Sequence, residues 1–154
     1  DRHWNLVTAN AVALQLMDGI DAALLGPPLN VLRASLHPGG LAPRIANFAQ
    51  WRAHVLHRLR RQVELSADVV LAELLRELEQ LPAPAGEAPA VNPSVAGVVV
   101  PLRLHSPLGQ LSFLGTTMVF GTAIDITLSE LVVEAFFPAD AATAQALARM
   151  AAGA

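Results

Sequence analysis

The sequence contains no cysteine, so it offers neither a disulfide framework nor a thiolate nucleophile or metal ligand. Lysine is missing as well. Every strongly basic side chain is an arginine, a bias that GC-rich coding explains without invoking function. No apolar run approaches the roughly 18 residues of a membrane-spanning helix. The opening Asp1-Arg2-His3-Trp4-Asn5-Leu6-Val7 lacks the basic stretch and long apolar core of a signal peptide. It starts on a strand-like pattern with no initiator methionine, as the later part of a longer chain would. Together with the missing cysteine, this is compatible with a cytoplasmic protein, and no membrane insertion is expected. Aromatic residues make up only 5% of the chain, so its 53% hydrophobic content is mostly aliphatic and exceeds the usual ~45–50%.

With 154 residues the chain is expected to form one domain, large enough to bury roughly 70% of the surface its unfolded form exposes. The aliphatic excess suits a deep core, or a core that holds an apolar cavity. A net charge of −3 argues against direct binding to nucleic acid. The charge is unevenly spread. No Asp or Glu falls between Ala22 and Val63, whereas Arg33, Arg44, Arg52, Arg58, Arg60 and Arg61 all do.

Along the chain, Trp4 to Val7 reads as a short strand and Asn10 as the turn out of it. Ala11 to Met17 is a short apolar helix broken by Gly19. Asp21 caps Ala22 to Leu25, and Asn30 caps Val31 to Leu36. Gly26-Pro27-Pro28 and His37-Pro38-Gly39-Gly40 end these pieces. The longest helix is predicted from Pro43 to about Val63, with Ile45, Phe48, Arg52, Val55, Leu59 and Val63 as its core stripe. Trp51, His54, Arg58 and Arg61 form a second stripe beside it. Ser66 caps a further helix whose apolar face is Val70, Leu71, Leu74, Leu78 and Leu81. Pro82 to Val95 reads as a loop within the domain. Val98 to His105 and Leu111 to Phe120 are strands, the second one central, and Gly115 marks a bulge or a close approach of another backbone. Leu128 to Phe137 fits helix or strand; its β-branched and aromatic content favours strand. Asp140 caps a last Ala-rich helix that runs to about Ala152. The order is that of an α+β fold.

Catalysis needs a nucleophile, a base and a group that holds developing charge. There is no Gly-x-Ser-x-Gly elbow, phosphate loop or dinucleotide fingerprint, and no enzyme is expected. His54 and His57 have a spacing that can bring two imidazoles to one metal. A solvated basic helix face is the simpler account, and neither a metal nor another cofactor is expected. Glu130 and Glu134 share a face of a regular strand, either as paired acid and base or as plainly exposed residues. Trp51 is either a core or rim aromatic, or the wall of a cavity. Arg52, His54 and Arg58 are either exposed polar groups or the anchor of an anionic head group, which arginine grips through two parallel hydrogen bonds. Val55 on the same helix and Phe113 on the central strand join the candidate ligand contacts. An aliphatic cavity rimmed by Trp51 suits a fatty acid, because each buried CH₂ contributes about 0.8 kcal/mol.

The opening Asp1 to Asn10 resembles the start of the ligand-binding domain of MmyB-like transcription regulators. So do Asn30-Val31-Leu32-Arg33 with His37-Pro38, and Trp51 followed by Leu59-Arg60. Gly109-Gln110-Leu111-Ser112-Phe113 and Glu134-Ala135-Phe136-Phe137-Pro138 match the same family, in order, over nearly the whole chain. The resemblance implies a PAS-like α+β fold, an antiparallel sheet with helices packed on it, forming a single domain over residues 1–154. It implies an N-terminal helix-turn-helix domain of the XRE type, absent from this sequence, through which alone DNA would be contacted. It also implies a fatty-acid-like effector, and it places Trp4, Asn10, Asn30, Arg33, His37 and Trp51 in matching motifs. The Pro-rich stretch from Pro82 to Pro93 departs from the family, whose members often continue there in helix.

Three readings stay open. The first is an effector-binding domain. The second is a homodimerisation module without ligand, paired through the Ala13/Leu14/Met17 helix or the C-terminal helix. The third, the weakest, is a small cone-shaped isomerase or dehydratase, which would need His54 and Glu130 buried together.

Overall fold

A computed structural model describes residues 1–84, 100–119 and 131–153. Side-chain caps begin several of its helices, at Asn30 as predicted and at Asn10, which the sequence reads only as a turn. Asn10 accepts from Ala13 N at 2.8 Å and opens α1 (Ala11–Leu16). Asn30 accepts from Arg33 N at 3.1 Å and opens α2 (Val31–Leu36). Each bond satisfies a backbone N–H that a first helical turn leaves unpaired. After α2 the chain turns so tightly that a Cβ at Gly40 would overlap the Ala34 carbonyl oxygen.

The long helix, α3 (Phe48–Ser66), starts later than predicted. Pro43 lies in a separate 3-10 turn, Ala42–Arg44. Ile45, expected on the helix, instead pairs with Leu104 in an isolated antiparallel bridge. The reason is strand-edge satisfaction. Ala46 N donates to Arg103 O at 2.8 Å, and Asn47 donates to Pro101 O and accepts from Arg103 N, so residues 45–47 cover the outer edge of the first strand. The next helix, α4 (Val69–Gln80), is capped by Asp68, not by Ser66, whose hydroxyl donates back to Gln62 O. Ala67, with φ of 52°, makes the turn between the two helices. At the start of the chain the predicted strand reduces to one bridge, Asn5 to Asn30.

The sheet is β1 (Leu102–Ser106), β2 (Gly109–Val119) and β3 (Val132–Pro138), antiparallel in the order β1-β2-β3. The segment that fitted helix or strand is strand over its described part, because it finds a partner: Phe113 faces Pro138 and Val119 faces Val132. The fold class is the predicted one, α+β with helices packed on an antiparallel sheet. The last helix, α5 (Ala141–Ala152), is capped by Asp140 and extends the cover of β2 beyond β3. Its fully buried Thr143 accepts from Ser112 N at 2.9 Å.

The core joins Leu36 of α2, Phe48, Trp51, Val55 and Leu59 of α3, and Leu71, Leu74 and Leu78 of α4 to Leu104, Leu111 and Phe113 of the sheet. Side chains alternate faces along a strand. The face that carries Leu111 and Phe113 inward therefore continues along β2 as Gly115 and Thr117. The register sets Phe136 beside Gly115 and Glu134 beside Thr117. The inner face thus changes from aliphatic to polar as it runs outward.

Candidate ligand-binding site

Trp51, His54 and Arg58 lie on successive turns of α3, a spacing that stacks them along one helix face. They wall one side of a cavity of about 60 Å³, and Val100, Gly115, Glu134 and Phe136 wall the other. Residue 115 adds no side chain to this wall, and a Cβ there would meet the Phe136 ring at 3.4 Å. Phe136 in turn packs edge-on against buried Phe113, with centroids 6.3 Å apart. A cavity of about 60 Å³ has room for about two water molecules at ~30 Å³ each. Pockets for drug-sized ligands run to roughly 300–1,000 Å³. The recess among the described residues therefore fits one end of an elongated ligand.

At the rim, Arg58 Nη2 donates to Thr117 Oγ1 at 2.7 Å and to Glu134 Oε1 at 2.9 Å. Thr117 Oγ1 donates to the same Glu134 oxygen at 2.9 Å. The Arg58 and Glu134 side chains are 31% and 24% exposed, so water screens this pair only in part. The guanidinium also lies 5.0 Å from the centroid of the Trp4 ring, within cation–π range. Burial holds the His54 imidazole below the usual histidine pKa; the Arg58 charge adds to this and Glu134 opposes it. His54 is thus neutral at neutral pH. What this arrangement offers chemically is a recess with Trp51, Val100 and Phe136 among its walls and a mixed donor and acceptor rim.

The family profile described as MmyB-like transcription regulator ligand binding domain matches residues 1–150. The chain belongs to this family. Neither curated proteins nor solved structures give a match. The motif resemblance therefore holds across nearly the whole chain, and what the family shows is a ligand-sensing domain of a transcription regulator.

The MmyB-like domain gathers only some of the residues singled out in its sequence. Trp51, His54 and Arg58 meet at the cavity, and Trp4 joins them through Arg58. Trp4 itself is buried, adopts φ of 66°, and donates its indole N–H to Gln62 Oε1 at 2.9 Å. Asn10 and Asn30 are helix caps; Asn30 also donates to His3 O at 2.9 Å. Arg33 grips Glu77 through two nitrogens at 2.6 and 2.7 Å. His37 Nδ1 accepts from Gly39 N in the turn after α2. Val55 lies in the core. Arg52 points to the far end of α4, where its Nη2 donates to the carbonyls of Leu78, Glu79 and Leu81. Its Nε is buried without a hydrogen-bond partner among the described residues.

Sequence reasoning missed Val100 and Phe136 as cavity walls. It noticed Gly115 and Glu134 without joining them to α3. The signal for Gly115 was a glycine inside a strand; Glu134 had none, since its partner Arg58 is 76 residues away. Glu130 lies outside the described residues. Among the described residues no three His, Asp or Glu side chains converge as a metal site would need, and no helix is long and apolar enough to cross a membrane.

Proposed function

We propose that this MmyB-like domain senses a small apolar or fatty-acid-like effector, held between α3 and the β2–β3 pair with its polar end at Arg58. In the full regulator it follows a cytoplasmic helix-turn-helix domain, and the ligand alters how that domain meets DNA. A coupling of about 1–3 kcal/mol between the two sites is enough for such control. The observation that carries the reading is the recess beside Gly115, walled by Trp51, Val100 and Phe136 and ending at the Arg58–Thr117–Glu134 rim. Of the arginines predicted as anchors, Arg58 has the place for that role, and Arg52 is engaged elsewhere. Native mass spectrometry of the purified protein, before and after organic extraction, tests the reading with the dodecyl to octadecyl alkanols and the corresponding acids. Retention of a copurified or added chain is expected; retention of none ends the lipid proposal.

A second reading, homodimerisation, draws on the outer face of the sheet. Leu114 faces Phe137 and Met118 faces Val133 across β2 and β3, giving an uncharged block of four exposed apolar side chains. Sedimentation velocity that finds only monomer at high concentration removes this reading.

A further inference from the structure

We infer that the head group this site accepts is uncharged, because Glu134 already holds the place of an anion on Arg58. The inference rests on the ligand-site reading above and specifies its chemistry.

Among the described residues, Arg58 and Glu134 are the only charged side chains lining the cavity at neutral pH, and their charges cancel. His54 adds none, since burial keeps it neutral. Three other arginines of the acid-free window are engaged elsewhere. Arg33 grips Glu77, Arg60 grips Glu79, and Arg52 holds carbonyls at the end of α4. A ligand carboxylate would bring a second negative charge to a single, partly buried guanidinium. Two carboxylates sharing such a site disfavour each other's ionised form.

An uncharged head meets no such conflict. Both hydrogen bonds of Arg58 leave from Nη2, so among the described residues its Nε and Nη1 hydrogens carry no partner. Both bonds into Glu134 end on Oε1, so its Oε2 is an unused acceptor there. A hydroxyl or primary amide can accept from Arg58 and donate to Glu134 at once, while its alkyl part enters the recess beside Gly115. A protonated acid can do the same. A carboxylate, which has no proton to donate, cannot.

Isothermal titration with decan-1-ol and decanoate, at about pH 8 where an aliphatic acid is ionised, tests this. The wild-type domain should bind the alcohol at least about tenfold more tightly. Any apolar cavity favours an alcohol to some degree, so the deciding readout is Glu134→Gln. That variant keeps the shape and removes the charge. It should improve decanoate binding by about tenfold or more and leave alcohol binding no tighter than in the wild type, so that the alcohol-to-decanoate preference falls by at least about tenfold. Glu134→Ala serves as the second variant and should shift the ratio in the same direction. A wild-type preference for decanoate, or a ratio unmoved by both substitutions, overturns the inference alone. Binding of neither probe by the wild type overturns the ligand-site reading and this inference with it.

Discussion

Two arginine–glutamate pairs divide the molecule. Arg33 meets Glu77 through both ends of its fork on the side of α2 and α4. Arg58 meets Glu134 through one nitrogen shared with Thr117, at the rim of a cavity. Their surroundings differ in the same way. Around the first pair the polar groups are matched: Trp4 to Gln62, His3 to Asp68, Asn30 to both Arg33 N and His3 O. Around the second, a glycine adds no side chain and, among the described residues, donors and acceptors stay open. Completed partners hold the fold together, whereas open ones mark where a ligand has something to gain. The comparison predicts that substitutions on the first side cost stability and those on the second cost binding.

The largest effect should come from Trp4→Ala. It removes a buried indole, its bond to Gln62 and the ring beneath Arg58. A loss of about 3–5 kcal/mol is expected from denaturant unfolding. A loss below about 1 kcal/mol would mean that the opening motif is not part of the stabilising frame. Asn30→Ala should follow, at about 1–2 kcal/mol, because one side chain both caps α2 and satisfies the His3 carbonyl.

These two residues also show what a sequence discloses. Caps are local: Asn30, Asp21 and Asp140 each act within three residues of themselves, and each was legible. The boundary of α3 was not, because residues 45–47 answer to the edge of β1, more than fifty residues away. The site divides likewise. Trp51, His54 and Arg58 were readable as a stripe on one helix. Their facing wall depends on the β2–β3 register, which sets Phe136 beside Gly115 and Glu134 beside Thr117, and no local pattern fixes that. Arg52 sits at helical spacing within the core stripe, yet its long side chain reaches past that stripe to cap α4.

The next two substitutions set the sides against each other. Arg52→Ala should lower stability by about 1 kcal/mol, through the lost carbonyl contacts at the end of α4, and leave ligand retention unchanged. Gly115→Ala should do the reverse. Its backbone is not in the left-handed region, and the new methyl meets Phe136 at ordinary contact distance. Stability should hold or rise by up to about 0.5–1 kcal/mol, as for alanine over glycine inside a strand. The cavity narrows, so retention of an added long-chain alkanol in native mass spectrometry should fall. Retention equal to wild type would place the ligand elsewhere.

The smallest effect is a pH dependence that separates the two regions by where it begins. His54, beside the cavity, is held neutral by burial, its pKa lowered from 6.5. The unfolded chain therefore binds a proton before the folded one does. The stability this contributes is present above about pH 6.5 and is lost as pH falls through the lower folded value. On the other side, the hydrogen bond from His3 lowers Asp68 from 3.8, and that from Arg33 lowers Glu77 from 4.5. The N–H of Thr143 lowers Asp140, the α5 cap, from 3.8. For these carboxylates, too, the unfolded state takes the proton first, so their contribution is intact down to about pH 4.5 and declines below it. Thermal unfolding followed from neutral pH downward should then show a shallow first decline and a second beginning near pH 4.5. His54→Gln should erase the first and spare the second. Glu77→Gln should weaken the second and spare the first. If either substitution moved both declines, the two regions would be one coupled network, and the division drawn from the two arginines would not stand.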